Sequence, residues 1–199
     1  MSGNKELQTQ QGKPILLQLG KGAGWFEKVI QIQAEANQVI AVTSHGRVFV
    51  GQCREAAGNQ RLELVEKGLE RARVIKIASG ERHSLALTSE GRVFGWGSNK
   101  YGQLAQEFEQ GLERPIPVEM TAVYTIPSPS LDEQVERRRT SSKSTSSRIT
   151  DIFAAGNTSY FIAESNTSTD ILACGQGQWC QLGVGAVCCA LQMFLIMRS

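Results

Sequence analysis

The stretch GRVFGWGSNKYGQL, residues 91–104, decides the fold. It sets Gly91, Gly95, Gly97 and Gly102 among Trp96, Asn99 and Tyr101, a mixture that suits either a phosphate-cradling loop or a tight β-structure. A Walker-type loop reads GxxxxGK[ST], because the Lys and the hydroxyl contact phosphate and magnesium. Gly97 and Gly102 have that spacing, but Gln103-Leu104 follows and the cation is missing. A dinucleotide fingerprint needs GxGxxG opening a helix. Gly95-Trp96-Gly97 runs into Ser98-Asn99-Lys100 with no helical periodicity after it, and Gly175 and Gly177 meet Cys180 at the third glycine place. The stretch therefore reads as structural: glycines admit close backbones, Trp96 and Tyr101 fill space between sheets, and Asn99 closes a turn. No cofactor is expected.

Working outward, the stretch belongs to a repeat. Residues 29–53, VIQIQAEANQVIAVTSHGRVFVGQC, align without a gap on residues 74–98, VIKIASGERHSLALTSEGRVFGWGS, with ten of 25 positions identical. That spacing falls in the range that marks solenoids and propellers. A third copy is weaker. IFAAGNTSYFIAE (152–164) matches KIASGERHSLALT (76–88), setting Gly156 on Gly80, and ILACGQGQWCQLG (171–183) matches VFGWGSNKYGQLA (93–105). The second match sets Gly175 on Gly97, Trp179 on Tyr101, and Gln181-Leu182 on Gln103-Leu104.

Within each unit the apolar period is two. Ile75 and Ile77 share one face, and Leu85 and Leu87 share another, matched by Ile40 and Val42. Gly91, like Gly46, supplies positive φ for a hairpin, RVFGW returns as a strand, and the prolines of RPIPV (114–118) fit an outer strand. Each unit predicts a small antiparallel sheet of three or four strands, which must stack on neighbours to bury both faces.

The segments between units differ in character. Residues 54–72, REAAGNQRLELVEKGLERA, are charged and read as a loop excursion or a short helix. Residues 121–148 hold IPSPS and RRRTSSKSTSSR, a basic, Ser-rich composition that reads as a disordered insertion. Arg137-Arg138-Arg139-Thr140-Ser141 has the form of a basic-directed phosphorylation site with Thr140 and Ser141 as acceptors; a solvated linker is the plainer reading. The chain divides into an N-terminal segment (1–28, a partial blade or disordered), repeats over 29–183 (29–53, 74–118 and 149–183), and an apolar tail (184–199) of doubtful origin. The tail's run VGAVCCALQMFLIM is short of the roughly 20 residues that cross a bilayer.

The formal charge of +2 is too near neutral to imply nucleic acid or an anionic membrane as a general partner. Five cysteines form no CxxC pair, so neither a metal nor a disulfide framework is expected, and a reducing compartment fits. His83 and His45 are the only histidines. Neighbouring strand residues point to opposite faces, so His83 and Ser84 cannot form a nucleophile–base pair. No catalytic residue is expected.

The second copy, VIKIASGERHSLALTSEGRVFGWGSNKYGQLAQ, resembles the repeat IxIAxGxxHSLALTxxGxVxxWGxNxxGQLG of the regulator of chromosome condensation family. The first copy departs from it, with Gln38 for the His and Gly51-Gln52 for Trp-Gly. The resemblance implies an all-β partial propeller of about three antiparallel blades, cut from a longer ring. It implies that Gly80, His83 and Gly156 are structural positions. The insertion and the GNTSYFIAE and ACGQGQW forms are similar to divergent fungal mitochondrial members. What the resemblance implies is a non-enzymatic scaffold for protein partners, in a mitochondrial relative one supporting inner-membrane complexes. The alternative is guanine-nucleotide exchange on a Ran-type small GTPase with chromatin association. A third possibility is an inhibitor that grips an enzyme with its propeller face.

Overall fold

The computed structural model describes residues 17–24, 26–35, 38–52, 60–106, 113–121, 148–166, 168–177, 182 and 188–198. They fold into three sheets, one per repeat. The first holds β1 (Leu17–Leu19), β2 (Val29–Glu35), β3 (Gln38–Thr43), β4 (Val48–Gln52) and β5 (Gln60–Leu64), in the order β1-β5-β4-β3-β2. The second is β6 (Val74–Ser79), β7 (His83–Thr88), β8 (Val93–Ser98) and β9 (Glu113–Glu119), in chain order. The third is β10 (Arg148–Ala155), β11 (Thr158–Glu164), β12 (Thr169–Gly177) and β13 (Cys188–Arg198), also in chain order. Every pairing is antiparallel except β1 with β5. No helix occurs among the described residues.

The alternation that predicts the strands also packs them. In β3, Ile40 and Val42 face one way and Val39 and Ala41 the other; all are buried, as a sheet covered on both faces requires. The first joint holds Ile40, Val42 and Val48 of the first sheet against Val74, Ile77, Ala86, Phe94 and Trp96 of the second. The second joint holds Leu85, Leu87, Val93, Leu104 and Met120 against Ile149, Ile152, Phe161, Ala163 and Leu172 of the third.

Two expectations are corrected. Within residues 54–72, neither a helix nor a bare loop spans Gln60–Leu64: it is strand β5, paired with β4 through Phe49↔Leu64 and Val50↔Glu63. Leu62 is buried between exposed Arg61 and Glu63, a period of two inside a charged run. The match of the third copy also shifts by one residue in its first half. His83 pairs with Gly97 and Thr158 pairs with Gly175, so Thr158, not Ser159, stands at the His83 position. The β10–β11 turn is one residue shorter than the β6–β7 turn, and a one-residue slip exchanges the two faces of a strand. RPIPV lies in β9 at the sheet edge, as its prolines require. Residues 184–199, expected to be a tail outside the repeats, contribute β13, paired with β12.

The corrected register gives strict equivalences. Val29, Val74 and Ile149 correspond, as do Gln31, Lys76 and Asp151, and each innermost strand has its register shift between those two places. The second position ties each blade to the next. The Gln31 amide donates to the Ile77 carbonyl (2.8 Å) and accepts from the Ile77 amide (2.9 Å), while the Lys76 ammonium bonds the Asp151 carboxylate. Gln31→Leu strips both partners from a buried backbone unit, so it should cost about 2 kcal/mol, read as a lower urea midpoint.

Candidate functional site

The residues singled out by the repeat converge on the second joint, where the loop after β8 meets β11. In that loop the Asn99 side chain accepts from the Leu104 amide (2.9 Å) and the Gln103 side chain accepts from the Tyr101 amide (2.9 Å). The Gly102 amide bonds Asn99 O (3.0 Å) and the Ala105 amide bonds Gly102 O (2.9 Å). An anion cradle needs a row of free amides. Here those of residues 101, 102, 104 and 105 are consumed internally, and no helix starts after Tyr101. The phosphate alternative fails on geometry.

Gln103 and Leu104 are fully buried, and Leu104 is part of the second joint. The Gln103 carbonyl accepts from the Ser159 hydroxyl (2.7 Å) and the Cys174 thiol (3.3 Å). Ser159 Oγ lies 2.8 Å from His83 Nε2. Since the single hydroxyl proton goes to the carbonyl, His83 is the donor, a neutral imidazole with its proton on Nε2. Burial lowers its pKa to about 4 and pushes the Cys174 thiol up to about 12. A Ser and a His at this distance have the spacing of an activated nucleophile, but the proton runs away from the imidazole and both groups are buried. The arrangement fastens two blades.

The first joint repeats the motif with a substitute. Ser84, the equivalent of Ser159, donates to Gln38, the equivalent of His83 (3.4 Å). Ser84 thus faces the first blade while His83 faces the third, as adjacent strand residues must. Trp96 fills the first joint; Tyr101 is half-buried, beneath Lys100 (5.5 Å), outside the core clusters. Gly91 turns the β7–β8 hairpin at φ +81°, beside the start of β10. Gly80 lies where a Cβ would stand 2.5 Å from the Gly156 carbonyl oxygen, so only glycine lets the two loops approach. Leu182 is buried against Ala173 on the third sheet. Trp179, Gln181, Thr140 and Ser141 lie outside the described residues. Ser159, Cys174 and Gln31 were not singled out by sequence; a hydroxyl at the second place of each middle strand was the available signal for Ser159. No group of His, Cys, Asp and Glu suited to a metal occurs among the described residues, and no helix among them is long and apolar enough to cross a membrane.

Family comparison agrees with this geometry. Models described as "Regulator of chromosome condensation (RCC1) repeat" match residues 74–103 and 90–129. The chain carries repeats of the regulator of chromosome condensation family. Prp20p from Saccharomyces cerevisiae, solved as "The Crystal Structure of Prp20p from Saccharomyces cerevisiae and Its Binding Properties to Gsp1p and Histones", superposes with a TM-score of 0.56 at 19% identity, over 84% of this chain and 36% of that one. The fold is that β-propeller, in part. Among curated relatives, the secretion-regulating guanine nucleotide exchange factor of Bos taurus is 35% identical over 95 residues, 41% of this chain and 20% of that protein. The probable E3 ubiquitin-protein ligase HERC3 of Homo sapiens is 34% identical over 84 residues, 42% of this chain and 8% of that protein. The chain therefore spans a minor part of the relatives it matches.

Proposed function

We propose that the chain serves as a non-enzymatic protein-interaction scaffold of the regulator of chromosome condensation repeat type. The observation that carries this reading is the second joint, where His83, Ser159 and Gln103 bond one another in a buried seam. The repeat signature is spent on holding blades together, so partner choice falls to the loops at the two ends of the sheets. With a formal charge of +2, the partners are proteins rather than nucleic acid. In its finer form, the scaffold supports mitochondrial inner-membrane complex assembly, on the likeness of the insertion and the third copy to divergent fungal mitochondrial members. Cell fractionation tests that form: co-sedimentation with an inner-membrane complex is expected, and nuclear retention would refute it.

A second reading is guanine-nucleotide exchange on a Ran-type small GTPase with chromatin association. The names of the bovine relative and of the Prp20p structure favour it. Release of fluorescent GDP from such a GTPase separates the two. The scaffold leaves the intrinsic release rate unchanged, whereas acceleration by the purified chain would establish exchange and displace the scaffold.

A further inference from the structure

The two joints use one pair of surfaces. The forward surface centres on the innermost strand: Val74 and Ile77 are 1% and 0% exposed beneath the first blade, and Ile149 and Ile152 are equally buried beneath the second. Their equivalents on the first blade, Val29 and Ile32, are 45% and 51% exposed. The rear surface of the second blade includes Leu87 and Val93, paired across strands and buried under the third blade. Its counterpart on the third blade is the cross-strand row Ile162↔Ile171↔Met197, in which the first two are half-buried and Met197 is 57% exposed. The chain thus bears, at its two ends, the two halves of a joint that it already makes twice within itself.

We propose that a second copy of this chain occupies both surfaces, the rear of the third blade of each copy seating on the forward face of the first blade of the other. The argument is continuity: the contact is the same apolar seam, with equivalent residues at equivalent places. Head-to-tail contacts either close or propagate. Two copies related by a two-fold along the ring axis make both contacts together, and two sets of three blades fall within the four to eight that propellers use. The expected species is therefore a closed dimer.

Light scattering of the purified 199-residue chain over a range of concentrations tests this. The expected mass is twice the 21.7 kDa of one chain. Ile32→Asp on the forward face and Met197→Asp on the rear face each change an exposed residue and should shift the chain to monomer. An equal mixture of the two variants should recover a dimer, because one intact forward face then meets one intact rear face. A monomeric wild type, an open series of larger assemblies, variants that remain dimeric, or a mixture that stays monomeric would each overturn the proposal. Circular dichroism of each variant verifies the β-structure, and a variant that loses it is replaced by Val29→Asp or Ile171→Asp in the same comparison.

Discussion

Between pH 6.5 and about 4, unfolding of this chain should become easier by about 3 kcal/mol through His83 alone. The folded imidazole titrates near 4 because burial disfavours its charged form; the unfolded one titrates near 6.5. In that window the unfolded state binds the proton and the folded state does not, so stability is full above 6.5 and drains away as pH falls towards 4. The geometry gives the same sign. Charging the ring puts a proton on Nδ1, which has no acceptor among the described residues. The control is supplied by the molecule itself, since Gln38 holds the equivalent place in the first joint. His83→Gln keeps a donor towards Ser159 and does not titrate. Urea midpoints of both proteins from pH 7 to 4 should diverge as the pH drops, the wild type losing more. Carboxylates common to both cancel in the difference. Parallel curves would show that His83 is charged or solvated in the folded chain, and the account of the joint would fail.

How far the sequence carries this joint depends on the kind of signal. The alternation of Leu85 and Leu87 with Ser84 and Ala86, and the hairpin glycines Gly46 and Gly91, fix strands and turns locally, because period and positive φ are properties of a short stretch. β5 escapes because it is brief and charged; only Leu62 and Leu64 carry the pattern, and their burial depends on β4 and on Leu19 across the sheet. The register of β11 escapes for a different reason. Gly156 looks like Gly80, but the intervening turn is shorter, and strand pairing rather than glycine identity decides which side chains face the second blade. That single residue sends Ser159 to His83. The bond between them joins residues 76 positions apart, and no local pattern contains it. The clamp from Gln31 to Ile77 is invisible for the same reason.

Two glycines that look alike in the repeat should respond to alanine very differently. Gly97 has φ +97°, and a Cβ there would stand 2.9 Å from His83 Cα and nearer still to the Arg82 carbonyl oxygen. Both obstacles are backbone of the paired strand, so neither can move without tearing the β7–β8 ladder. Positive φ costs an L-residue about 1–2 kcal/mol and overpacking adds about 1–3, so Gly97→Ala should lose roughly 3 kcal/mol or more. Gly175 is built the same way, at φ +116° with Thr158 Cα 2.9 Å from a Cβ, which marks this as a property of the repeat. Gly156 also has positive φ, +53°, but a Cβ there meets nothing within 4 Å. Gly156→Ala should therefore cost only the conformational share, about 1 kcal/mol. Chemical denaturation of the two variants at one protein concentration decides the matter. Equal losses would mean that the close approach of Gly97 to the β7 backbone is absent, and with it the reason the repeat keeps glycine after Trp96 and after Cys174.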